Sequence, residues 1–283
     1  MSTRKDRFSN KDRDYMKLAI NLASNQKGLT GNNPAVGCVI VKNNKIVSYG
    51  VTGINGTPHA ETIALKKNKS QNKGSTVYIT LEPCSHYGKT PPCTKALINS
   101  KVKKVIYSIE DSDKRSFSKA KKILNAKKIL TKSNLLNKEA KNLYKNYIYS
   151  KNHSLPYITG KIASSKNYHI LKNNFHITNK HSRKVSHLLR YRNQAILTTY
   201  KTINSDNSKL TCRINGLKDF SPKRLIIDKN LKINKKSPIV NDDNKNNTII
   251  FHSSTDKKKI SHFKSKGIKL CFVSLDTNDQ INL

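Results

Sequence analysis

The chain has 283 residues, room for two domains of ordinary size, and no run of about 18 or more apolar residues that could cross a membrane as a helix. Its 55 Lys and Arg against 17 Asp and Glu give a formal charge of +38, while a hydrophobic content of 35% is enough for ordinary cores. The opening MSTRKDRFSN lacks the apolar stretch of a secretory leader, and five scattered cysteines, an odd number, argue against a disulfide framework; a cytoplasmic protein is expected.

A basic balance of this size raises the question of a polyanion partner. The lysines, however, are spread over the whole chain among abundant Asn, with few Arg, and form no stripe interleaved with aromatics. Compositional drift onto solvent-facing positions explains them better, so neither a nucleic-acid nor a membrane partner is expected. Such a field would still attract a phosphorylated small molecule.

In chain order, residues 11–24 place Tyr15, Met16, Ala19, Ile20 and Ala23 on one helical stripe. After Gly28 and Gly31 comes an Asn33-Pro34 turn, a strand over 36–41, an Asn43-Asn44 hairpin turn and a strand over 45–49. Pro58, at a first helical position after Thr57, predicts a helix carrying His59 and Glu61. A strand over 76–81 delivers Cys84 at its exit, and Pro91-Pro92 leads into a short helix beginning at Cys93. A strand over 103–109 and helices near 117–126 and 137–148 follow, which together make an α/β sandwich around one mixed sheet. The pattern restarts near His153-Ser154-Leu155-Pro156, so the domains are expected at 1–149 and 150–283. Strands over 157–163, 195–199, 224–228, 248–252 and 269–274, with helices near 179–191 and 256–265, make the second half α/β as well.

The chemistry gathers in residues 57–98. His59, Cys84 and Cys93 offer one imidazole and two thiolates, the number of protein ligands a catalytic zinc uses when its fourth position stays open. A closed structural site would need a fourth ligand, for which His86 is the nearby choice. Glu61, two residues from His59, should stand outside the coordination shell and move protons. His-x-Glu followed by Pro-Cys is the signature of zinc deaminases acting on amino groups of nitrogen heterocycles, although eight residues rather than two separate the cysteines here. Cys38, Cys212 and Cys271 read as packing residues.

These residues resemble the deaminase domain of the bifunctional riboflavin-biosynthesis deaminase/reductase family. The match covers Asn33-Pro-Ala-Val-Gly-Cys-Val-Ile-Val41, Pro58-His-Ala-Glu61 and Leu81-Glu-Pro-Cys-Ser-His-Tyr-Gly-Lys-Thr-Pro-Pro-Cys93. The resemblance implies a three-layer, cytidine-deaminase-like domain with Zn2+ on His59, Cys84 and Cys93 and with Glu61 as proton shuttle. It implies hydrolysis of the 2-amino group of 2,5-diamino-6-(5-phosphoribosylamino)pyrimidin-4-one, with Asn33, His86, Lys89 and Thr90 gathering that substrate. Thr52 stands where many relatives place a His. A base in nucleic acid is the alternative substrate, disfavoured by the insert between Cys84 and Cys93; a non-catalytic, zinc-stabilised binding protein is a third reading, disfavoured by the intact Glu61.

The second half resembles, in part, the family's dihydrofolate-reductase-like domain, which uses NADPH to reduce the ribose. Lys161, Ser165, Arg183, Thr202, Asp206, Leu210 and Arg213 are retained pieces. Ser165-Lys166-Asn167-Tyr168, His176-Ile177-Thr178 and Asp206-Asn207-Ser208 depart from the family text, and the chain stops where its glutamate and paired-glycine segment should begin. An incomplete domain with impaired reduction and weak hold on NADPH is the expectation, and a homo-oligomer the expected assembly.

Overall fold

Ser9 opens the first helix with a reciprocal cap: its Oγ accepts from the Asp12 amide at 3.1 Å, and its own amide donates to Asp12 Oδ2 at 2.9 Å. The computed structural model describes residues 8–88, 90–170 and 177–281. They divide into two compact units, Met1–Thr159 and Gly160–Leu283.

The first unit runs α1 (Asn10–Asn25), β1 (Gly37–Lys42), β2 (Lys45–Val51), α2 (Ala60–Lys67), β3 (Thr76–Leu81), α3 (Cys93–Asn99), β4 (Lys104–Ile109), α4 (Ala120–Ala126), β5 (Leu130–Ser133) and α5 (Asn137–His153). The sheet order is β2-β1-β3-β4-β5. β1 is antiparallel to both its neighbours, whereas β3, β4 and β5 are parallel. Asn43 and Asn44 both take positive φ, as a two-residue hairpin turn matched to strand twist requires.

Strand alternation sorts the core into two layers. Cys38, Ile40, Val77, Ile79, Val105 and Tyr107 face α2, α3 and α4, burying Ala60, Ala64, Leu65, Leu97 and Leu124. Val39, Val41, Tyr78 and Ile106 face α1 through Met16 and Ala19, and α5 closes the same side through Ala140, Leu143 and Tyr144 over Leu81 and Ile109. The result is helix, sheet, helix in three layers. Gly50 is needed for the close seat of α2 on β2, since a Cβ there would run into the carbonyl of Ala60 and the amide of Ala64.

Several elements depart from expectation. The helix does not begin at Pro58: His59 is the N-cap of α2, with extended backbone at φ −70° and ψ 154°, and Glu61 lies in the first turn. β5 was not foreseen; it is four residues long with an exposed Leu130, too short to show a period. α5 continues through residue 150 to His153.

In the second unit α6 (Lys180–Arg192), β6 (Ala195–Thr199), α7 (Tyr200–Asp206), β7 (Lys223–Ile227), α8 (Pro238–Asn241), β8 (Thr248–His252), α9 (Lys257–Ser265) and β9 (Lys269–Phe272) alternate. The sheet is parallel throughout, in the order β6-β7-β8-β9. One face is a closed core of Ile203, Ile226, Ile239, Ile250 and Phe263. The buried Arg224 guanidinium is satisfied by a fork onto Asp242 at 2.7 and 2.9 Å and by Thr248 Oγ1 at 3.0 Å. On the other face Leu225, Ile249 and Phe251 are half-buried, and Leu197 is exposed.

The strand expected over 157–163 does not form: these residues are extended coil, with Ile158 and Ile162 84% and 81% exposed. β-branched residues favour a strand only when a neighbouring strand takes their backbone groups, and among the described residues none lies beside this segment.

Candidate active site

The carboxyl end of a strand and the starts of two helices meet at one point. β3 ends at Leu81 and hands the chain to Glu82, Pro83 and Cys84; His59 caps α2; Cys93 is the first residue of α3. His59 Nδ1 lies 3.2 Å from Cys93 Sγ and 3.5 Å from Cys84 Sγ, and the three ligand atoms all fall within 4.8 Å of one another. Tetrahedral bonds of zinc to nitrogen and sulfur place such atoms about 3.6 Å apart, so this donor set fits the ion in both chemistry and spacing.

The three donor side chains bond to one another at this point. Hydrogen bonding from Cys93 and His59 pulls the Cys84 thiol down, and the Cys93 amide, at 3.2 Å, adds a further donor to that sulfur. The Cys84 sulfur in turn pushes the His59 imidazole up. Cys93, giving its proton toward Cys84 and buried, is pushed up. A thiolate at a helix start is also favoured by the local dipole.

Glu61 is 4% exposed and stands beside this cluster. Burial, with the Cys84 sulfur adding to it, pushes its carboxyl up to about 7, against a smaller pull from His59. A carboxyl that changes hands with water near neutrality is suited to general acid and base work. Behind it, Tyr144 on α5 meets Thr80 at 2.6 Å and donates to the Ala35 carbonyl at 3.0 Å, while Thr80 Oγ1 accepts from the Gly37 amide at 3.0 Å. Sheet and helix are thereby locked under the site.

His86 does not close the cluster. Its Nδ1 is 2.9 Å from Ser116 Oγ, and among the described residues only His59, Cys84 and Cys93 form a metal-competent group. Asn33 is exposed, with its carbonyl accepting from Thr30 Oγ1 at 2.7 Å; its side chain lies over Gly56, in the loop leading to His59. Thr90 is half-buried and its carbonyl accepts from the Gly88 amide at 3.3 Å, while Lys89 lies outside the described residues. Thr52 is buried, and its Oγ1 accepts from the Val36 amide at 2.9 Å, so it holds the backbone that follows Asn33.

Glu82 was not singled out in the sequence. It is 3% exposed, and its carboxylate accepts three amides of the β4–α4 loop: Asp111 at 3.1 Å, Ser118 at 3.0 Å and Ala120 at 2.9 Å. Inside that loop Asp113 pairs with Arg115 at 2.7 Å and Lys151 at 2.9 Å, and Asp111 accepts from Tyr147 at 2.8 Å. The acid-rich Glu110-Asp111-Ser112-Asp113 in a chain so poor in acids was the available signal.

The second unit places Thr202 and Asp206 on α7, with buried Leu210 and exposed Arg213 beyond it. α6 is tied to that loop by Arg190 on the Thr211 carbonyl at 3.0 Å and by the Arg213 amide on His187 at 3.2 Å; Arg183, on the same helix, donates to Thr178 O at 2.9 Å. Lys161 is exposed, and Ser165 bonds within its own turn to Asn167 and His169; His176 lies outside the described residues.

A three-layer sheet with an imidazole and two sulfurs converging at strand exit and helix starts is the architecture of the zinc-dependent base deaminases. Residues 9–109 match the model of the cytidine and deoxycytidylate deaminase zinc-binding region, and residues 159–282 match the RibD C-terminal domain. The riboflavin biosynthesis protein RibD of Aquifex aeolicus is 35% identical over 92% of this chain and 73% of its own length; that of Bacillus amyloliquefaciens is 34% identical over 93% and 71%. Among solved structures, Acinetobacter baumannii RibD superposes with a TM-score of 0.82 at 28% identity, covering 93% of this chain and 74% of that one. The diaminohydroxyphosphoribosylaminopyrimidine deaminase/5-amino-6-(5-phosphoribosylamino)uracil reductase of Thermotoga maritima gives 0.81 at 30% identity, covering 92% and 74%. The chain belongs to this RibD family of riboflavin-biosynthesis deaminase/reductases. Among the described residues no helix is long and apolar enough to cross a membrane.

The loop network predicts a pH-dependent stability. Arg115, then Lys151, hold the Asp113 carboxyl well below the usual carboxylate range. A folded value below the unfolded one stabilises the native state above that range, and the contribution is lost as pH falls. Asp113→Asn should therefore lower the urea midpoint relative to the parent at pH 7, and the gap should narrow by pH 3.

Proposed function

We propose that the first unit removes the 2-amino group of 2,5-diamino-6-(5-phosphoribosylamino)pyrimidin-4-one, giving 5-amino-6-(5-phosphoribosylamino)uracil and ammonia. The observation that carries this reading is a buried carboxyl, Glu61, beside an open cluster of His59, Cys84 and Cys93. Those three residues would hold zinc, which when bound lowers the pKa of water enough to make it a usable nucleophile at neutral pH. Glu61 takes one proton from the attacking water and passes it to the ring nitrogen beside the reacting carbon; it then takes the second from the hydroxyl now on that carbon, as the carbonyl forms, and delivers it to the departing amine, which leaves as ammonia. Its raised pKa suits both directions of transfer. Asn33, His86, Lys89 and Thr90 gather the pyrimidine and its phosphoribosyl tail, and the excess of lysine draws in the phosphate. Five free cysteines, two of them ligands, fit the reducing cytoplasm.

Glu61→Gln keeps the shape but cannot shuttle protons. It should retain one zinc per chain and lose about 100-fold or more in ammonia release; a variant that still turns over at the parent rate assigns the proton transfer elsewhere.

The second unit, in this reading, retains the reductase framework but performs reduction of the ribose poorly. Lys161 is exposed and Ser165 is engaged in its own turn with Asn167 and His169, both outside the helices and strands; Arg183 sits on α6 and Thr202 and Asp206 on α7. Titration of the full chain with NADPH, followed by cofactor fluorescence, should give no saturation at micromolar concentrations; a micromolar Kd would restore the reductase.

A homo-oligomer belongs to the same reading. Ile162, Tyr168 and Ile170, spaced through a polar stretch, are 81%, 87% and 71% exposed, apolar side chains that a second copy would cover. Sedimentation at micromolar protein should show a species heavier than the 32.0 kDa chain, and a lone monomer there would overturn it.

A further inference from the structure

Between Cys84 and Cys93 the chain makes an insert that carries His86, and among its described residues the bonds within the insert are few. Tyr87 is 69% exposed, and the internal hydrogen bond from the Gly88 amide to Thr90 O is long at 3.3 Å. What holds the imidazole comes from outside the insert: Ser116 Oγ at 2.9 Å from Nδ1. Ser116 is fully buried, 30 residues away on the β4–α4 loop. A buried hydroxyl needs a partner, and this one is aimed at the ring.

The loop behind Ser116 is fixed at both ends. Glu82 takes the amides of Asp111, Ser118 and Ala120, and the Ser116 amide donates to the Asp113 carbonyl at 2.9 Å. Asp113 is itself held by Arg115 and by Lys151 of α5. Nothing in the proton transfers assigned to Glu61 calls for any of these groups. Their common effect is to fix one small hydroxyl against one ring nitrogen, leaving Nε2 on the opposite side of the ring.

We propose that Ser116 is a positioning residue for substrate binding: held by the loop that Glu82 clamps, it sets the His86 ring in advance so that the substrate does not pay for ordering it. This rests on the reading that His86 meets the phosphoribosyl-pyrimidine. Preorganisation of this kind acts on affinity and leaves the reacting groups alone.

The experiment uses the zinc-loaded full chain with ammonia release as the readout. Ser116→Ala should raise KM by roughly 3- to 10-fold, with kcat within about twofold and zinc content unchanged. In a His86→Ala background the same substitution should change nothing further, because the residue it acts through is gone. An equal KM penalty in both backgrounds, or a fall in kcat at constant KM, would overturn the proposal. If Ser116→Ala folds poorly, Lys151→Met loosens the loop without touching its buried part and should raise KM in smaller measure; unchanged KM there overturns it too. A substrate-free arm separates this from the assigned reaction. Nitrogen-15 spectra of the histidine rings at one fixed pH, with His86 assigned from His86→Ala, should show its Nδ1 resonance moving in Ser116→Ala. That movement persists even if no ammonia is released from the nucleotide, in which case the reaction and not the Ser116–His86 link has failed. An unmoved resonance overturns the link.

Discussion

The first unit depends on one geometric constraint: a strand exit and two helix starts must bring two sulfurs to within 3.5 Å of one imidazole nitrogen. Each backbone terminus contributes one ligand, and none of the three could be moved without moving an element of the core. α2 holds its place because Gly50 admits it onto β2 and Ser48 Oγ donates to the Ala64 carbonyl at 2.9 Å. α3 is held by Leu97 in the same core layer, and β3 by pairing on both sides. The cluster is thus set by the packing of the sheet, and the carboxyl of Glu61 is kept dry by the same layer.

The residues proposed to bind metal and move protons were legible because their chemistry restricts the amino-acid types and the chain order. His59, Glu61, Cys84 and Cys93 could be read with no knowledge of the fold. The strand through Cys38, Val39, Ile40 and Val41 was legible as an apolar run, but only the fold sorts Cys38 and Ile40 to one face and Val39 and Val41 to the other. Pro58 misled: proline fits a first helical position, but the helix waits two residues and uses His59 as its cap, which gives the ligand an extended backbone.

What stayed hidden depended on partners far along the chain. Ser116 is one serine in a chain rich in polar residues, and only the fold shows that it is buried and faces His86. Glu82 follows a strand with no role marked in the sequence, yet it pins both ends of a loop. The segment over 157–163 failed in the opposite sense: its β-branched residues promise a strand, and among the described residues no neighbour pairs with it.

The two units differ in how they shed water. One has helices over both faces of its sheet; among the described residues the other has a closed core on one face, while on the opposite face Leu225, Ile249 and Phe251 are half-buried and Leu197 is exposed. Parallel sheets draw their cohesion from cover on both sides. Heat or urea will therefore find unequal resistance in the two halves, and the transition will not be all-or-none. A lone melting temperature read from the whole chain would average two separate events and describe neither.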